Sequence, residues 1–564
     1  MKKHYNTILS LLESCKTFGQ LKQIHGLTIT TTVVKNIIPL SRLIDFCTTA
    51  ESRNLSYAKL VFSQIDQPSV YIWNCMIRGY SGGDKPYEAL ILCREMQRRG
   101  HMPDNFTFPF VLKACSICCD PDCGRCVHNC IVKTGFEVDV YASTGLLNMY
   151  ASCGYMELAH KVFDEIPKWN VVAWTSLIAG LVNSNQASEA ITVFKEMMHW
   201  NVEPNEITMV NVMVSCARTR DIETGKWAHN HIRQLGFDPF VSPVRFNVIL
   251  ATAILDMYAK CGSLKTARDL FDRMPLRNLV AWNSLIAAYS QYGRAKEALG
   301  LFFDMKTAGL EPDKATFLSI FDACATSGAL ALGQALHACV IKASIHEDTA
   351  TGTALLDMYA KMGDLTSAQQ VFNEVKNKDV MAWTSMIIGL AMHGRGEEAL
   401  VIFKRMQETG TVIPDQITYI GVLCACSHLG LVEEGQRQFN SMTDVCGIVP
   451  TVEHYGCMVD LLSRAGRLEE AERFLEKMPA EPSVAIWGAL LNGCEIYENV
   501  ALADRLRSQM TELKQAFGSG VYVLLSNIYA RAGRWEAVNL SRDLMKHKRV
   551  PKTLGCSSVE TNFD

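Results

Sequence analysis

At 564 residues, with 48% hydrophobic and 20% charged side chains, the chain is too long for one compact core and too apolar for a disordered polymer. A net charge of -3 excludes a global basic field, so any affinity for nucleic acid must come from a local surface. The 21 cysteines are an odd number, which suits packing residues in a reducing compartment better than a disulfide framework.

In chain order, helix pairs are predicted almost from the start, from Thr7 to about Lys552. Trp73, Trp174, Trp282, Trp383 and Trp487 set a long period, with separations of 101, 108, 101 and 104 residues. Three units fill the first: 70–104 and 105–139, of 35 residues each, and 140–170, of 31. The 108 carries a seven-residue excess around "DPFVSPVRF", from Asp238, which is predicted to be a loop between units. Within 279–313, Trp282, Leu285, Ile286 and Tyr289 mark one helical face and "QYGR" breaks it. Ala298, Phe302 and Met305 mark a second helix, closed by Gly309 and Pro312. A helix pair this short cannot bury its own apolar stripe, so neighbouring pairs must stack. The expectation is an all-α fold, a right-handed α-solenoid superhelix of about sixteen helix-turn-helix repeats. No secretory leader, evident transit peptide or run of about 20 apolar residues is present, so no membrane partner is expected.

Three further patterns recur or cluster. Cys115, Cys216, Cys324 and Cys426 repeat at one register, as packing residues would. "CSICCDPDCGRCVHNC" holds Cys115, Cys118, Cys119, Cys123, Cys126 and Cys130, with two C-x-x-C pairs of the kind that can bind zinc. It crosses a hairpin turn and its sibling units lack it, so reduced packing thiols are expected, with no metal and no cofactor. A G-x-x-x-H element recurs at Gly124–His128, Gly225–His229 and Gly333–His337; His25 sits in an equivalent place and Phe439 replaces the histidine later. Interchange with phenylalanine indicates packing rather than catalysis. No P-loop, H-E-x-x-H or H-x-E motif occurs, so neither an enzyme nor a small-molecule substrate is expected.

The 35–35–31 triplet, with its "AWNSLI", "HACVIKAS" and "DMYAKCG" elements, resembles pentatricopeptide repeat proteins with alternating P, L and S repeats. The two degenerate hairpins after Pro482 resemble that family's E domain. The resemblance implies N-terminal L- and S-type repeats at 1–69, a P-L-S array at 70–482, an E domain at 483–552 and a short tail at 553–564 without a deaminase. In the tail, Ser558 replaces a tryptophan common in the family.

Family repeats read one RNA base each, through the fifth and last residues of the unit. On the first helix the fifth residue follows the tryptophan: it toggles from Thr175 to Asn283 to Thr384 while its apolar neighbours hold. A terminal aspartate can only accept, which suits the N–H of U or G; asparagine can also donate, which suits A or C. The family associates Thr at the fifth position with purines and Asn with pyrimidines. The resemblance therefore implies U for Asn74 with Asp104 and for Asn283 with Asp313. It implies A for Thr144 with Asn170, Thr175 with Asn205, and Thr252 with Asn278. G follows for Thr353 with Asp379 and Thr384 with Asp415. The L units carry Pro109, Val210 and Leu318 at the fifth position and specify no base. Helix capping is the competing explanation; taken alone, it leaves unexplained why every last residue is Asp or Asn.

The implied target is 5′-U-n-A-A-n-A-U-n-G-G-n-n-n-n-n-C, ending on an edited C. The implied function is a sequence-specific binder of single-stranded organellar RNA that specifies a C-to-U editing site. A deaminase-bearing partner and accessory editing factors would act in trans, in the mitochondrion or alternatively the chloroplast. The competing functions are an RNA stability, processing or splicing factor, and a protein-binding scaffold.

Overall fold

The structure is a computed structural model that describes residues 2–31, 37–49, 54–241, 246–342, 348–512, 517–547 and 550. The predicted tail at 553–564, with Ser558, lies outside the described residues, as does 242–245 of the predicted loop. Among the described residues every regular element is helical, in thirty-two helices that follow one another as sixteen consecutive pairs. None of these helices is long and apolar enough to cross a membrane.

The chain forms two compact units, Met1–Ala281 and Trp282–Asp564. In each, the first helices of successive hairpins pack side by side in chain order. In the first unit this row runs from Ile37–Thr48 through Val70–Ser81, Phe108–Cys118, Val140–Ser152, Val171–Asn183 and Glu206–Thr219 to Val248–Lys260. In the second it runs from Lys314–Ser327 through Thr349–Met362, Val380–Met392, Gln416–Leu429, Val452–Arg464 and Val484–Ile496 to Ser519–Arg531. Within each unit second helices pack against their own first helix and the next, as Ala187–His199 does against Val171–Asn183 and Glu206–Thr219 and Gly396–Thr409 against Val380–Met392 and Gln416–Leu429, which is the packing of an α-solenoid.

The tryptophan period is a packing period. Trp73, Trp174 and Trp383 are buried and receive an edge-on phenylalanine from the preceding hairpin's second helix: Phe62 at 4.8 Å, Phe163 at 4.7 Å and Phe372 at 5.0 Å between ring centroids. The recurring histidines are also packing residues, and each has a partner. His128 Nδ1 lies 2.9 Å from Tyr150 OH, and the equivalent distances are 3.1 Å for His229 with Tyr258 and for His337 with Tyr359. His25 makes a 2.7 Å bond of this kind to Tyr57, from a different helical register. In the last triplet both members change together: Phe439 replaces the histidine and the buried Leu462 takes the tyrosine's register. The glycine of G-x-x-x-H is explained by close approach: a Cβ on Gly124, Gly225 or Gly333 would collide with Met149, Met257 or Met358 of the next hairpin.

The seven-residue excess is anchored at its start. Asp238 is buried, accepts from Arg233 Nε and the Phe240 amide at 2.9 Å each, and lies 3.7 Å from His229 Nε2. Burial alone would raise its carboxyl; these donors outweigh burial and hold it at about 2. The cysteine-rich segment bends where Cys119 adopts a left-handed conformation between Phe108–Cys118 and Pro121–Thr134. Cys115 is buried and its thiol is pushed up to about 12, while Cys123 lies 3.0 Å from Arg94 Nη2. Among the described residues no group of three His, Cys, Asp or Glu side chains is placed to hold a metal ion.

Candidate nucleic-acid interface

Each last residue stands where the chain turns into the following first helix, whose leading N–H groups lack partners. Asn170, Asn205, Asp313, Asp379 and Asp415 are N-caps there, accepting through Oδ1 at 2.8–2.9 Å from an amide three residues on. Asn278 does the same for Ala281, and Asp104 accepts from the Phe106 and Thr107 amides. Capping therefore accounts for a polar acceptor at these positions; serine and threonine cap as well, so capping by itself does not restrict them to Asp or Asn. Among the described residues no hydrogen bond engages the second terminal atom of any of the seven. Because the cap needs an acceptor, it turns each asparagine's oxygen inward and leaves Nδ2 as the free donor. Each aspartate leaves Oδ2 as a free acceptor.

The fifth residues lie inside their helices and cap nothing. The two asparagines are half-buried and reach their partners directly: Asn74 Nδ2 donates to Asp104 Oδ1, and Asn283 Nδ2 to Asp313 Oδ1, at 2.9 Å each. The threonines Thr144, Thr175, Thr252, Thr353 and Thr384 are buried. Thr252 and Thr353 hydroxyls reach Asn278 and Asp379 at 3.3 Å, and Thr175 and Thr384 connect through Thr208 and Thr418 at 2.6 and 2.7 Å. Thr144 makes no hydrogen bond to Asn170; its hydroxyl donates to the Val140 carbonyl at 2.6 Å. The structure thus brings six of the seven predicted pairs into contact, directly or through one side chain.

In the second unit, two successive pairs line one groove of about 530 Å³: Thr353 with Asp379, and Thr384 with Asp415. Lys361 stands in the same groove, 2.7 Å from Asp357. Burial would lower the Lys361 ammonium, but Asp357 and Asp322 outweigh it and keep the group protonated. Burial would likewise raise the Asp313 carboxyl; the Thr316 amide and the Asn283 side-chain amide hold it below its ordinary value.

Sequence reasoning missed an exposed apolar residue three positions before six of the seven fifth residues. Tyr71, Tyr141, Val172, Ile249, Val280 and Met381 are all exposed, and three residues apart on a helix is the same face. Met381 and Ile417, exposed to 58% and 50%, also line the groove described above. The signal was available as an apolar residue lying off the tryptophan stripe.

This geometry defines a class: a solenoid of helical hairpins that presents one polar pair per readable hairpin. Family models for the PPR repeat match residues 141–171, 250–279, 353–380, 381–411 and 446–479, and a PPR repeat family model matches 68–116, 170–218 and 277–326. An E motif model matches 497–560. A putative pentatricopeptide repeat-containing protein of Arabidopsis thaliana is 60% identical, covering the whole of both chains. Two further proteins of that plant, named mitochondrial and chloroplastic, are 36% and 39% identical over 99% and 98% of this chain and 86% and 78% of their own. The crystal structure of the pentatricopeptide repeat protein PPR10 in complex with an 18-nt psaJ RNA element is similar in fold. Its TM-score is 0.60 at 18% identity, over 93% of this chain and 76% of that one. The chain belongs to the pentatricopeptide repeat family.

Proposed function

We propose that this protein binds single-stranded RNA one base per readable repeat and thereby specifies a C-to-U editing site in an organellar transcript. The observation that carries the reading is the free second atom of each last residue, which the cap holds beside the fifth residue in six of the seven pairs. At Asn74/Asp104 and Asn283/Asp313 the free atoms are an amide N–H and a carboxylate oxygen. Side by side they complement the carbonyl and N3–H of uracil. A terminal asparagine instead offers a donor to the bare N1 of adenine, and Asp379 and Asp415 offer an acceptor to the N1–H of guanine. The exposed apolar residues three positions earlier supply faces against which bases pack; at the aromatic Tyr71 and Tyr141, stacking is worth about 1–3 kcal/mol per base.

The fourteen site residues keep the assignments made from sequence, as does the partition at 69, 482 and 552. The E motif match supports editing over mere transcript protection, with the deaminase brought by a partner protein. The relatives' names support an organelle, and the sequence reading favours the mitochondrion. The test is binding, at fixed salt, to an RNA carrying U-n-A-A-n-A-U-n-G-G and to one with both G bases replaced by A. About tenfold weaker binding per swapped base is expected. Equal affinity for the two RNAs would return the pairs to helix capping alone.

A further inference from the structure

Four units share a threonine as their third residue, in "NFTF", "EITM", "KATF" and "QITY": Thr107, Thr208, Thr316 and Thr418. All four are fully buried. Each follows the last residue of a P unit, and each sits between that residue and the fifth residue of the same unit. After the three readable S units the register holds Ala173, Ala281 and Ala382 instead. Those alanines follow well-formed caps, so the helix entry does not itself require a threonine.

The protons at Thr316 can be counted. Its Oγ1 accepts from the Asp313 amide at 3.2 Å and has a single proton to give. Two acceptors are in reach, Asn283 Oδ1 at 2.7 Å and Asp313 Oδ1 at 2.9 Å. Asp313 Oδ1 already receives the Thr316 amide and Asn283 Nδ2, at 2.9 Å each, whereas Asn283 Oδ1 has no other donor. The hydroxyl proton therefore belongs to Asn283 Oδ1. Thr107 repeats the arrangement, 2.6 Å from Asn74 Oδ1 and 2.8 Å from Asp104 Oδ1, with the Asp104 amide at 3.1 Å. The asparagine is thus tied at both ends of its amide: its oxygen by the threonine, one N–H by the aspartate. One N–H alone is left over.

We propose that Thr107 and Thr316 are specificity-positioning residues that lock the amide of the preceding fifth-position asparagine, so that an N–H rather than a carbonyl oxygen faces the base. An asparagine amide turned over would set an acceptor against the uracil carbonyl and leave its own N–H groups buried toward the threonine. The lock matters most where the reading side chain has two unlike ends. At Thr175 and Thr384 the reader is a hydroxyl with no such ends to confuse, and Thr208 and Thr418 there join the two readers without setting an orientation. The inference rests on the base reading proposed above.

The experiment compares the full chain with its Thr316→Ala, Thr316→Ser and Thr316→Val variants. Alanine is the residue that this register carries elsewhere, and valine keeps the volume. Affinity is measured for RNAs with U or C at the base assigned to Asn283/Asp313, and for RNAs with G or A at the base assigned to Thr384/Asp415. The expected result is a fall of about fivefold or more in the U-over-C ratio for Ala and Val, restoration by Ser, and an unchanged G-over-A ratio. If the unaltered chain discriminates U from C and the Ala and Val variants keep that ratio, the positioning role is refuted while base reading stands. Weakening by one common factor for all RNAs, with a lowered melting temperature, equally refutes it and leaves a structural cap. If the unaltered chain shows no preference between U and C, base reading at this pair fails and the positioning role falls with it.

Discussion

Replacing Asp313 by asparagine separates the two tasks of the last residue. The cap should survive, because Asn and Asp are near-equal N-caps and the Oδ1 that receives the Thr316 amide is retained. The loss of a carboxylate at a helix N-terminus costs about 0.3–1 kcal/mol. The exposed atom, however, changes from the acceptor Oδ2 to the donor Nδ2. Facing uracil N3–H, a donor meets a donor; facing cytosine N3, it meets an acceptor. One mismatched base costs about 1–3 kcal/mol in base-specific complexes, so preference for U over C should drop by about 5- to 150-fold and can invert. Asp313→Ala serves as the contrast. It removes the cap, at about 1 kcal/mol, and leaves Asn283 Nδ2 without its acceptor. The assay is a salt-matched titration of each variant with two RNAs differing only at that base, alongside a melting curve. An Asp313→Asn chain that melts near the parent and keeps the parent's preference for U would refute the reasoning.

Two packing predictions follow from the repeats themselves. His128→Phe and Tyr150→Leu should each destabilise the chain by about 1–3 kcal/mol, because each strands a polar partner. The double variant, which imitates the Phe439 and Leu462 pair, should cost less than the sum, as read from urea midpoints. Burial lowers His128 below its ordinary 6.5 despite Glu165 and Glu137. Its contribution is therefore complete above that value and lost as pH falls below it toward the folded value, and His128→Phe should flatten this acid limb. Gly389→Ala places a Cβ 2.6 Å from Ala360 Cβ and 3.2 Å from Ala360 Cα, so two helix backbones must part. A cost of about 1–3 kcal/mol is expected, and an unchanged urea midpoint would show that the contact is slack.

The architecture was legible because it is repeated. Short apolar stripes that cannot bury themselves force stacking, and five tryptophans at a near-constant spacing announce the period. The interchange of His337-type histidines with Phe439 revealed packing, but not the partner: Tyr359 lies in the following unit, and only the fold brings its hydroxyl to His337 Nδ1. The readers themselves were found from residue type. What stayed hidden was hydrogen-bond topology. Thr316 reads in sequence as an ordinary third residue of a helix start, and nothing local discloses that its proton goes to Asn283, thirty-three positions back. Met381 was hidden for a different reason. Beside Trp383 it reads as one more core residue, and only its exposure sets it apart.

Capping and reading, posed as rivals by the sequence, are served by different atoms of one side chain. Serine and threonine cap as well as aspartate, yet once their single oxygen is spent they have no second polar atom to show. A last residue that must both cap and read is thereby confined to Asp or Asn, isosteres that differ only in the atom left over. The L units give the internal comparison. They carry Pro109, Val210, Leu318 and Ile420 at the fifth position, with no side-chain polar atom to read with. Their final residues stand at N-cap positions too, and there the set widens to Asp139, Asn247, Asp348 and Thr451. A threonine stands at the cap where nothing is read. Where a fifth-position Asn or Thr is present, the cap is in every case a side chain with one atom to spare.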